Sequence, residues 1–288
     1  MLAEKVKNTP SAHLGEGPVW DYRNNTLYWV DILGRCLYGF NPTTNAEYLY
    51  RFDQFVGAAV PCENNNFVLA MQHGFAYLDT QTKALTMIQD PESHLPLNRF
   101  NDGKCDPAGR FWAGTMAINS GPPVGSLYCL NNDLSITRKL TDIKISNGLD
   151  WTSDASKMYY IDTLSHKVRS FHYDKATGHI EYEKDFLQFE RDSVFPDGMT
   201  LDEDNNLWIA FYNAGKVICF DGQNGKPVCT VEVPASLTTS CTFGGENLDT
   251  LFITSAAKGG EASGGGLFAV QPGVKGLKAN LFRKNATA

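Results

Sequence analysis

The segment R-F-N-D-G-K, Arg99 to Lys104, places a cation, an amide, a carboxylate and a glycine within six residues. On its own it is typical of a turn, because Asp-Gly is a common turn dipeptide and Asn tolerates the same backbone conformation. Related segments recur along the chain, however, each 10 or 11 residues before a segment rich in aromatic residues. That recurrence favours a functional site over an isolated turn.

Counting back from each aromatic-rich segment brings one residue per segment into the same position. Four of the six have a carboxylate or amide side chain, and the full set is Glu16, Val56, Asn101, Asn147, Asp197 and Ser240. If the segments are arranged radially, these side chains meet near one end of a central channel. Each residue alone is typical of a turn or a backbone cap, so the shared position is what favours a common site.

The chemistry that such a set of side chains supports is cation binding. Two carboxylates held close together inside a protein repel each other unless a divalent ion offsets their charge. Carboxylate and amide oxygens suit Ca²⁺ first, and Mg²⁺ or Mn²⁺ after it. None of the six histidines falls in the set, which argues against a His-rich zinc centre, whereas Zn²⁺ on oxygen ligands stays open.

The aromatic-rich segments that must position these residues occur six times. They start 40 to 49 residues apart, in the range of propeller blades, and they read L-Y-W-V-D from Leu27, F-V-L-A-M from Phe67, F-W-A-G-T from Phe111, M-Y-Y-I-D from Met158, L-W-I-A-F from Leu207 and L-F-I-T-S from Leu251. A second short apolar segment follows each one, and the flanking turns use Asn, Asp and Gly. Each pair therefore predicts a β-hairpin.

Repeated hairpins that cannot bury both faces alone must stack on one another, and radial stacking leaves few exposed edges. We therefore predict one domain over residues 1–288, an all-β six-bladed β-propeller with a metal site in its central channel. Helices are expected to be minor or absent, because no segment shows a sustained helical period. Two β-sandwich domains are the alternative that the strand count also allows.

The composition of the chain argues against several classes of partner and location. The net charge of −7 and the lack of a basic run argue against a nucleic-acid partner. No apolar stretch is long enough to span a membrane, and the N-terminus lacks the apolar core of a secretion signal. The seven cysteines are odd in number and scattered, which fits reduced thiols. We expect a cytoplasmic monomer or weak oligomer.

With these residues in view, the sequence resembles the family that groups senescence marker protein (regucalcin), gluconolactonases and luciferin-regenerating enzymes. The resemblance covers nearly the whole chain. Its motifs are specific together and weak singly, and they are L-G-E-G-P-V-W (Leu14 to Trp20), R-F-N-D-G-K-C-D-P-A-G-R (Arg99 to Arg110), W-A-G-T-M (Trp112 to Met116), S-N-G-L-D-W (Ser146 to Trp151), P-D-G-M (Pro196 to Met199) and F-G-G (Phe243 to Gly245).

The resemblance implies a propeller with a single catalytic divalent cation, usually Ca²⁺ or Zn²⁺, held by Glu16, Asn147 and Asp197. It implies that Arg99 and Asn101 contact the substrate and that the usual reaction is hydrolysis of sugar lactones such as gluconolactone. We therefore expect a metal-dependent hydrolase with a small-molecule lactone substrate. In that reaction Asp197 would also accept the proton of the attacking water.

One loop departs from the family pattern. Vertebrate members carry a longer acidic lid with a Glu near the substrate, whereas residues 117–125 here read A-I-N-S-G-P-P-V-G, with Asn119 in place of that Glu. We expect Asn119 to contact the substrate. The short lid leaves a non-sugar substrate open, of the organophosphate or luciferin-regenerating type. A non-catalytic calcium-binding propeller is the rival from another functional class.

Overall fold

The structure is a computed structural model that describes residues 1–119, 121–190 and 195–285. Its strands, in chain order, are β1 (Glu4–Lys5), β2 (Gly15–Asp21), β3 (Thr26–Asp31), β4 (Cys36–Asn41), β5 (Ala46–Arg51), β6 (Val56–Pro61), β7 (Phe67–Met71), β8 (Gly74–Leu78), β9 (Leu85–Gln89), β10 (Asn98–Cys105), β11 (Phe111–Ala117), β12 (Gly125–Leu130), β13 (Ile136–Ile143), β14 (Ser146–Trp151), β15 (Lys157–Asp162), β16 (Lys167–Asp174), β17 (His179–Gln188), β18 (Phe195–Leu201), β19 (Leu207–Tyr212), β20 (Lys216–Phe220), β21 (Pro227–Glu232), β22 (Thr238–Gly244), β23 (Thr250–Ser255) and β24 (Phe268–Val270).

These strands form six four-stranded antiparallel sheets, the blades. Five blades use four consecutive strands, beginning at β2, β6, β10, β14 and β18, while the sixth has the order β22-β23-β24-β1. The first strand of each blade contacts the first strand of the next, so these strands line the central channel. These innermost strands are almost wholly buried, whereas most residues of the outermost strands β5 and β9 are exposed to solvent. The predicted six-bladed propeller is confirmed.

The aromatic residues of the repeat pack between neighbouring blades. Phe75 of the second blade lies 4.6 Å from Phe100 and 5.6 Å from Phe111 of the third, centroid to centroid, and all three rings are buried. Such pairs contribute about 0.5–1.5 kcal/mol beyond the area that they bury. The aromatic strands were therefore recognisable in the sequence because each blade needs its neighbour to cover them.

The structure shows the conformation of the Asn101–Gly103 segment, the helix content, the state of the cysteines and whether a helix could span a membrane. Asn101, Asp102 and Gly103 lie within strand β10, so the interpretation of this segment as a turn was wrong. Over the described residues the helical structure is a single 3-10 turn at Thr163–Ser165. All seven cysteines are free, and none of the described helices could cross a membrane.

Both chain ends close the ring. Strand β1 pairs with β24, in the register Glu4↔Ala269, and so completes the sixth blade. At the other terminus, residues 276–285 form a strap across the end of the channel. The Gly276 amide donates to the Leu248 carbonyl (2.8 Å) in the sixth blade, and the Phe282 amide donates to the Pro61 carbonyl (2.9 Å) in the second.

Candidate metal and active site

A β-bulge near the start of all six innermost strands sets the position of the ring of side chains. The equivalent residue pairs ahead of the bulges are Gly15↔Asp31, Val56↔Met71, Phe100↔Thr115, Ser146↔Asp162, Pro196↔Phe211 and Thr238↔Ser255. In five strands the bulge follows this pair directly, and in β2 it follows the next pair, Glu16↔Val30. The residue after the first member of each pair is Glu16, Gly57, Asn101, Asn147, Asp197 or Thr239. The predicted ring is therefore right in four blades. It is one residue off in two, because Gly57 and Thr239 replace Val56 and Ser240.

Glycines beside the bulges let the strands come close to the axis. A Cβ atom on Gly148 would lie 2.7 Å from the carbonyl oxygen of Asp197, closer than Cβ atoms are found in proteins. A Cβ atom on Gly198 would overlap the Ser240 side chain. The Asn-Gly and Asp-Gly pairs thus serve close packing of strands, rather than turns, and they bring the Asn147 and Asp197 side chains together.

A chain of hydrogen bonds orders the amide side of the ring. The Arg99 Nη1 group donates to Asn101 Oδ1 (2.7 Å), and Asn101 Nδ2 donates to Asn147 Oδ1 (3.0 Å). Asn147 Nδ2 in turn donates to Thr163 Oγ1 (2.7 Å), whose hydroxyl donates to the Pro196 carbonyl (2.9 Å). These bonds orient Asn147 so that its oxygen, rather than its NH2 group, lies toward Asn101.

The carboxylate side of the ring is poorly compensated. Glu16 and Asp197 are 3% and 5% exposed, and Asp197 Oδ1 is buried with no hydrogen-bond partner among the described residues. Burial, with repulsion from Asp102, raises the pKa of Glu16 to about 8. Burial, together with repulsion from Glu16 and Asp102, raises the pKa of Asp197 well above its usual range. A buried carboxylate oxygen without a partner lowers the stability of the fold, which is typical of a functional or ion-binding position.

The donor set fits a divalent cation. Glu16, Asn147 and Asp197 would hold it, since they offer two carboxylates and one amide oxygen, the ligands that hard ions prefer. Among the described residues, no group of three or more His, Cys, Asp and Glu side chains is placed to hold a metal ion. The proposed ligand set has only two carboxylates, and its third oxygen comes from an asparagine. A cation there would offset the repulsion between Glu16 and Asp197 and would give the orphaned Oδ1 atom a partner.

The two predicted substrate contacts on β10 lie beside these ligands. Arg99 and Asn101 are buried, and they are joined by the hydrogen bond described above. Burial lowers the pKa of Arg99 to about 10, although the nearby Glu16 carboxylate opposes that shift. The guanidinium group is thus a cation held close to the carboxylates, where it can bind an anionic or carbonyl oxygen of a substrate.

The third predicted substrate contact lies apart from the ring. Asn119 is exposed and borders a surface pocket together with Leu97 and Val124, next to the start of β10. Among the described residues, no hydrogen bond joins Asn119 to Arg99 or to the ring. Ser120 of the predicted lid lies outside the described residues. The role of Asn119 in substrate binding stays a prediction.

Sequence reasoning assigned no role in the site to three residues near the ring. Thr163 accepts a hydrogen bond from Asn147, and Asp102 is a buried carboxyl group beside the ring. The pKa of the half-buried Tyr212 is raised, mainly by burial and further by the negative charges of Asp197 and Glu16. Thr163 could have been found, because the loop after each second strand must return to the mouth of the channel. Asp102 carried no such signal, since in sequence it reads as the Asp of an Asp-Gly turn.

The other end of the channel is built differently. The Lys104 ammonium donates to Asp150 Oδ2 (2.7 Å) and to the Met199 carbonyl (3.0 Å), so Lys104 forms a salt bridge within the scaffold. A cavity of about 210 Å³ adjoins this pair, and the strap residues Leu277 and Asn280 line it. The strap thus covers the end of the channel that lies opposite the ring.

Comparisons with known proteins agree on one family. Residues 14–257 match the family model described as SMP-30/Gluconolactonase/LRE-like region. The chain is 37% identical to regucalcin of Xenopus laevis over 282 residues, 93% of this chain and 94% of that protein. It is also 37% identical, over 247 residues, to a Bacillus subtilis (strain 168) protein provisionally named sugar lactone lactonase YvrE, covering 86% of this chain and 85% of that one. The structure of a calcium-binding protein, regucalcin, from Agrobacterium tumefaciens str. C58 superimposes with a TM-score of 0.92 at 28% identity, covering 98% of both chains.

Proposed function

Because the chain belongs to the SMP-30/gluconolactonase/LRE-like family, we propose that it is a divalent-metal-dependent hydrolase that opens lactones. Ca²⁺ is the proposed ion. The observation that carries the proposal is the Oδ1 atom of Asp197, which is buried near Glu16 and has no hydrogen-bond partner among the described residues. The calcium-binding relative of the same fold supports the choice of ion, and the sugar lactone lactonase relative supports the reaction.

When bound, a divalent cation would polarise the lactone carbonyl and favour ionisation of a nearby water. The chain's own residues do the rest. Asp197 accepts a proton from the water as its oxygen adds to the carbonyl carbon. The bond from that carbon to the ring oxygen then breaks, and the same proton passes to the leaving oxygen, which gives a hydroxy acid. Since that carboxylic acid is fully ionised at pH 7, each turnover releases one proton.

Arg99 and Asn101 orient the substrate in this scheme. The Arg99 guanidinium offers a charged donor to the carbonyl oxygen as negative charge develops there. Asn101 holds Arg99 through its Oδ1 atom and holds Asn147 through its Nδ2 group, so one amide couples the substrate contact to the proposed metal ligand. Burial of the whole set keeps bulk solvent away from the reacting atoms and strengthens these interactions.

The test is hydrolysis of a panel that includes glucono-1,5-lactone, γ-butyrolactone and alkyl γ-lactones, followed by proton release with a pH indicator. We expect turnover that EDTA abolishes and that Ca²⁺ restores. Aryl esters and organophosphates in the same panel examine the other substrates open to the family. Bound Ca²⁺ without turnover of any lactone or ester would contradict the proposal and would favour a non-catalytic calcium-binding propeller.

A further inference from the structure

Exposed leucines surround the substrate end of the channel. Leu33, Leu97 and Leu164, here called the apolar rim, are 53%, 62% and 39% exposed. Each lies beside a blade that supplies a ring residue. Leu33 follows β3, which pairs with the Glu16 strand; Leu97 directly precedes β10; and Leu164 is next to Thr163, the partner of Asn147. The three leucines therefore lie in loops at the end of the channel where the innermost strands begin, which is the end that carries the ring.

The remaining exposed large hydrophobic residues are dispersed. They lie at the N-terminus, on the outermost strands, or in a turn at the opposite end of the channel, and they are Met1, Leu2, Tyr22, Tyr48, Leu49, Met87, Tyr182 and Val228. Single exposed apolar residues on strands are ordinary and need no explanation. Three leucines on loops around one opening form a pattern that the outer strands do not show.

A preformed pocket extends the apolar rim at the third blade. It has a volume of about 330 Å³, and its lining includes Leu95, Pro96, Leu97 and Val124. Asn98, which also lines it, begins β10, so the pocket lies at the end of the channel from which the strand with the proposed substrate contacts starts. Apolar pockets next to a few convergent polar groups are the usual form of small-molecule sites.

Buried hydrogen bonds hold the wall of this pocket in place. The Glu92 carboxylate accepts from Asn98 Nδ2 (2.8 Å), from Thr115 Oγ1 (2.9 Å) and from Tyr128 Oη (3.1 Å). The Ile118 amide also donates to the Leu97 carbonyl (2.8 Å). The loop that carries Leu97 is thus tied to strands β10, β11 and β12, and binding an apolar group there requires little ordering of the chain.

We infer that the lactone taken by this site carries an apolar substituent, an alkyl chain or an aromatic ring, which packs against Leu97 in the pocket and against the apolar rim. The inference rests on the proposed lactonase function and names the substrate class of that site. A polyhydroxylated sugar lactone would gain nothing from the leucines, whereas each methylene that leaves water against them raises kcat/KM about fourfold.

The experiment compares γ-butyrolactone with γ-nonalactone, which have the same ring and differ in the alkyl chain. We expect the calcium-loaded protein to prefer γ-nonalactone by more than 100-fold in kcat/KM. The variant Leu97→Ser should lower that preference about tenfold. Val228→Ser, on outer strand β21, is the matched control because Val228 is 60% exposed, and it should leave the preference unchanged.

Calorimetric binding of 4-hydroxynonanoate, the ring-opened product, gives a readout that does not require turnover. Leu97→Ser should weaken this binding about tenfold, and Val228→Ser should not change it. Equal kcat/KM for the two lactones, or binding insensitive to Leu97→Ser, would overturn the inference while leaving the lactonase proposal intact. If no lactone is hydrolysed but 4-hydroxynonanoate still binds and Leu97→Ser still weakens that binding, the lactonase proposal alone would be contradicted.

Discussion

Two aspartates on neighbouring innermost strands occupy opposite ends of the same channel and have opposite surroundings. At the strap end, Asp150 Oδ2 accepts from Lys104 Nζ (2.7 Å) and from the Leu201 amide (3.1 Å), while its Oδ1 accepts from the Trp151 amide (2.9 Å). At the ring end, Asp197 Oδ1 is buried with no partner in the described part of the chain, and Glu16 and Asp102 repel it.

The difference separates a carboxylate that serves the fold from one that serves a ligand. A partly exposed carboxylate with partners, such as Asp150, costs little to keep, because a paired charge and amide donors replace the water that it loses. An unsatisfied one lowers stability, and it persists where strain or cost is part of the function. Asp150 therefore belongs to the scaffold and Asp197 to the site, although both lie in innermost strands, β14 and β18.

The largest expected effect comes from neutralising Asp197. Asp197→Asn keeps the shape of the side chain but removes a proposed metal ligand and the proton acceptor. We expect kcat/KM for lactone hydrolysis to fall by about 10³ or more, the size found when a group that stabilises the transition state is removed. Asp150→Asn, assayed below its melting temperature, should change kcat/KM by less than about tenfold. Comparable losses in both variants would break the comparison.

Calcium should stabilise the protein through the ring end alone. At a free concentration of 100 times the dissociation constant, an ion that binds only the folded state raises the free energy of unfolding by about 2.7 kcal/mol. Urea unfolding of the wild-type protein with and without Ca²⁺ measures this gain. Asp197→Asn should lose most of it, and Asp150→Asn should retain it. A calcium effect that survives in Asp197→Asn would place the ion elsewhere.

The metal-free protein should also lose stability as pH rises. The pKa of Glu16 is raised to about 8 in the folded state from a usual value of 4.5, so between these values the folded protein binds more protons than the unfolded chain. Its stabilising contribution is therefore present below pH 4.5 and is lost as pH rises toward 8. Melting temperatures at pH 6 and pH 8 measure this loss, which saturating Ca²⁺ should reduce. A metal-free protein that gains stability over this interval would contradict the charge arrangement at the ring.

At the strap end, breaking the ion pair should cost stability without affecting calcium. Asp150→Asn leaves Lys104 without its carboxylate partner; because both side chains are partly exposed, we expect a loss of about 1–2 kcal/mol in the free energy of unfolding. In the metal-free protein Asp197→Asn should instead be neutral or stabilising, since it removes a repelled carboxylate. Opposite signs in urea unfolding would sharpen the comparison, and equal losses would remove it.

The smallest expected effect concerns Thr163, which supports the ring indirectly. Thr163→Val keeps the volume and removes the hydroxyl that accepts from Asn147 Nδ2. Loss of one such bond corresponds to about 1 kcal/mol, so calcium affinity should fall about fivefold. Calcium titration by calorimetry measures this directly. Thr200→Val, on the strap side, is the matched control and should not change the affinity.

The fold could be predicted from the sequence because its pattern repeats. Aromatic strands recur at blade spacing, and Glu16, Asn101, Asn147 and Asp197 keep one position relative to them, which the shared bulges explain. Val56 and Ser240 were misplaced because the number of residues between the bulge and the aromatic strand varies, from 10 at Gly57 to 12 at Thr239, so a count of 10 or 11 cannot fix the position to one residue. Thr163, Asp102 and the cover formed by the strap depend on contacts between distant segments, which local patterns do not encode.

The pairing of β1 with β24 also determines when the molecule can finish folding. Glu4 meets Ala269 across the sixth blade, so this contact joins residues separated by nearly the whole chain. Contacts between distant residues slow folding, because the loop between them must close before they stabilise anything. During synthesis the first five blades can form before β24, the partner of the N-terminal strand β1, has left the ribosome. Ring closure is therefore expected to be the last step in forming the propeller, after the first five blades.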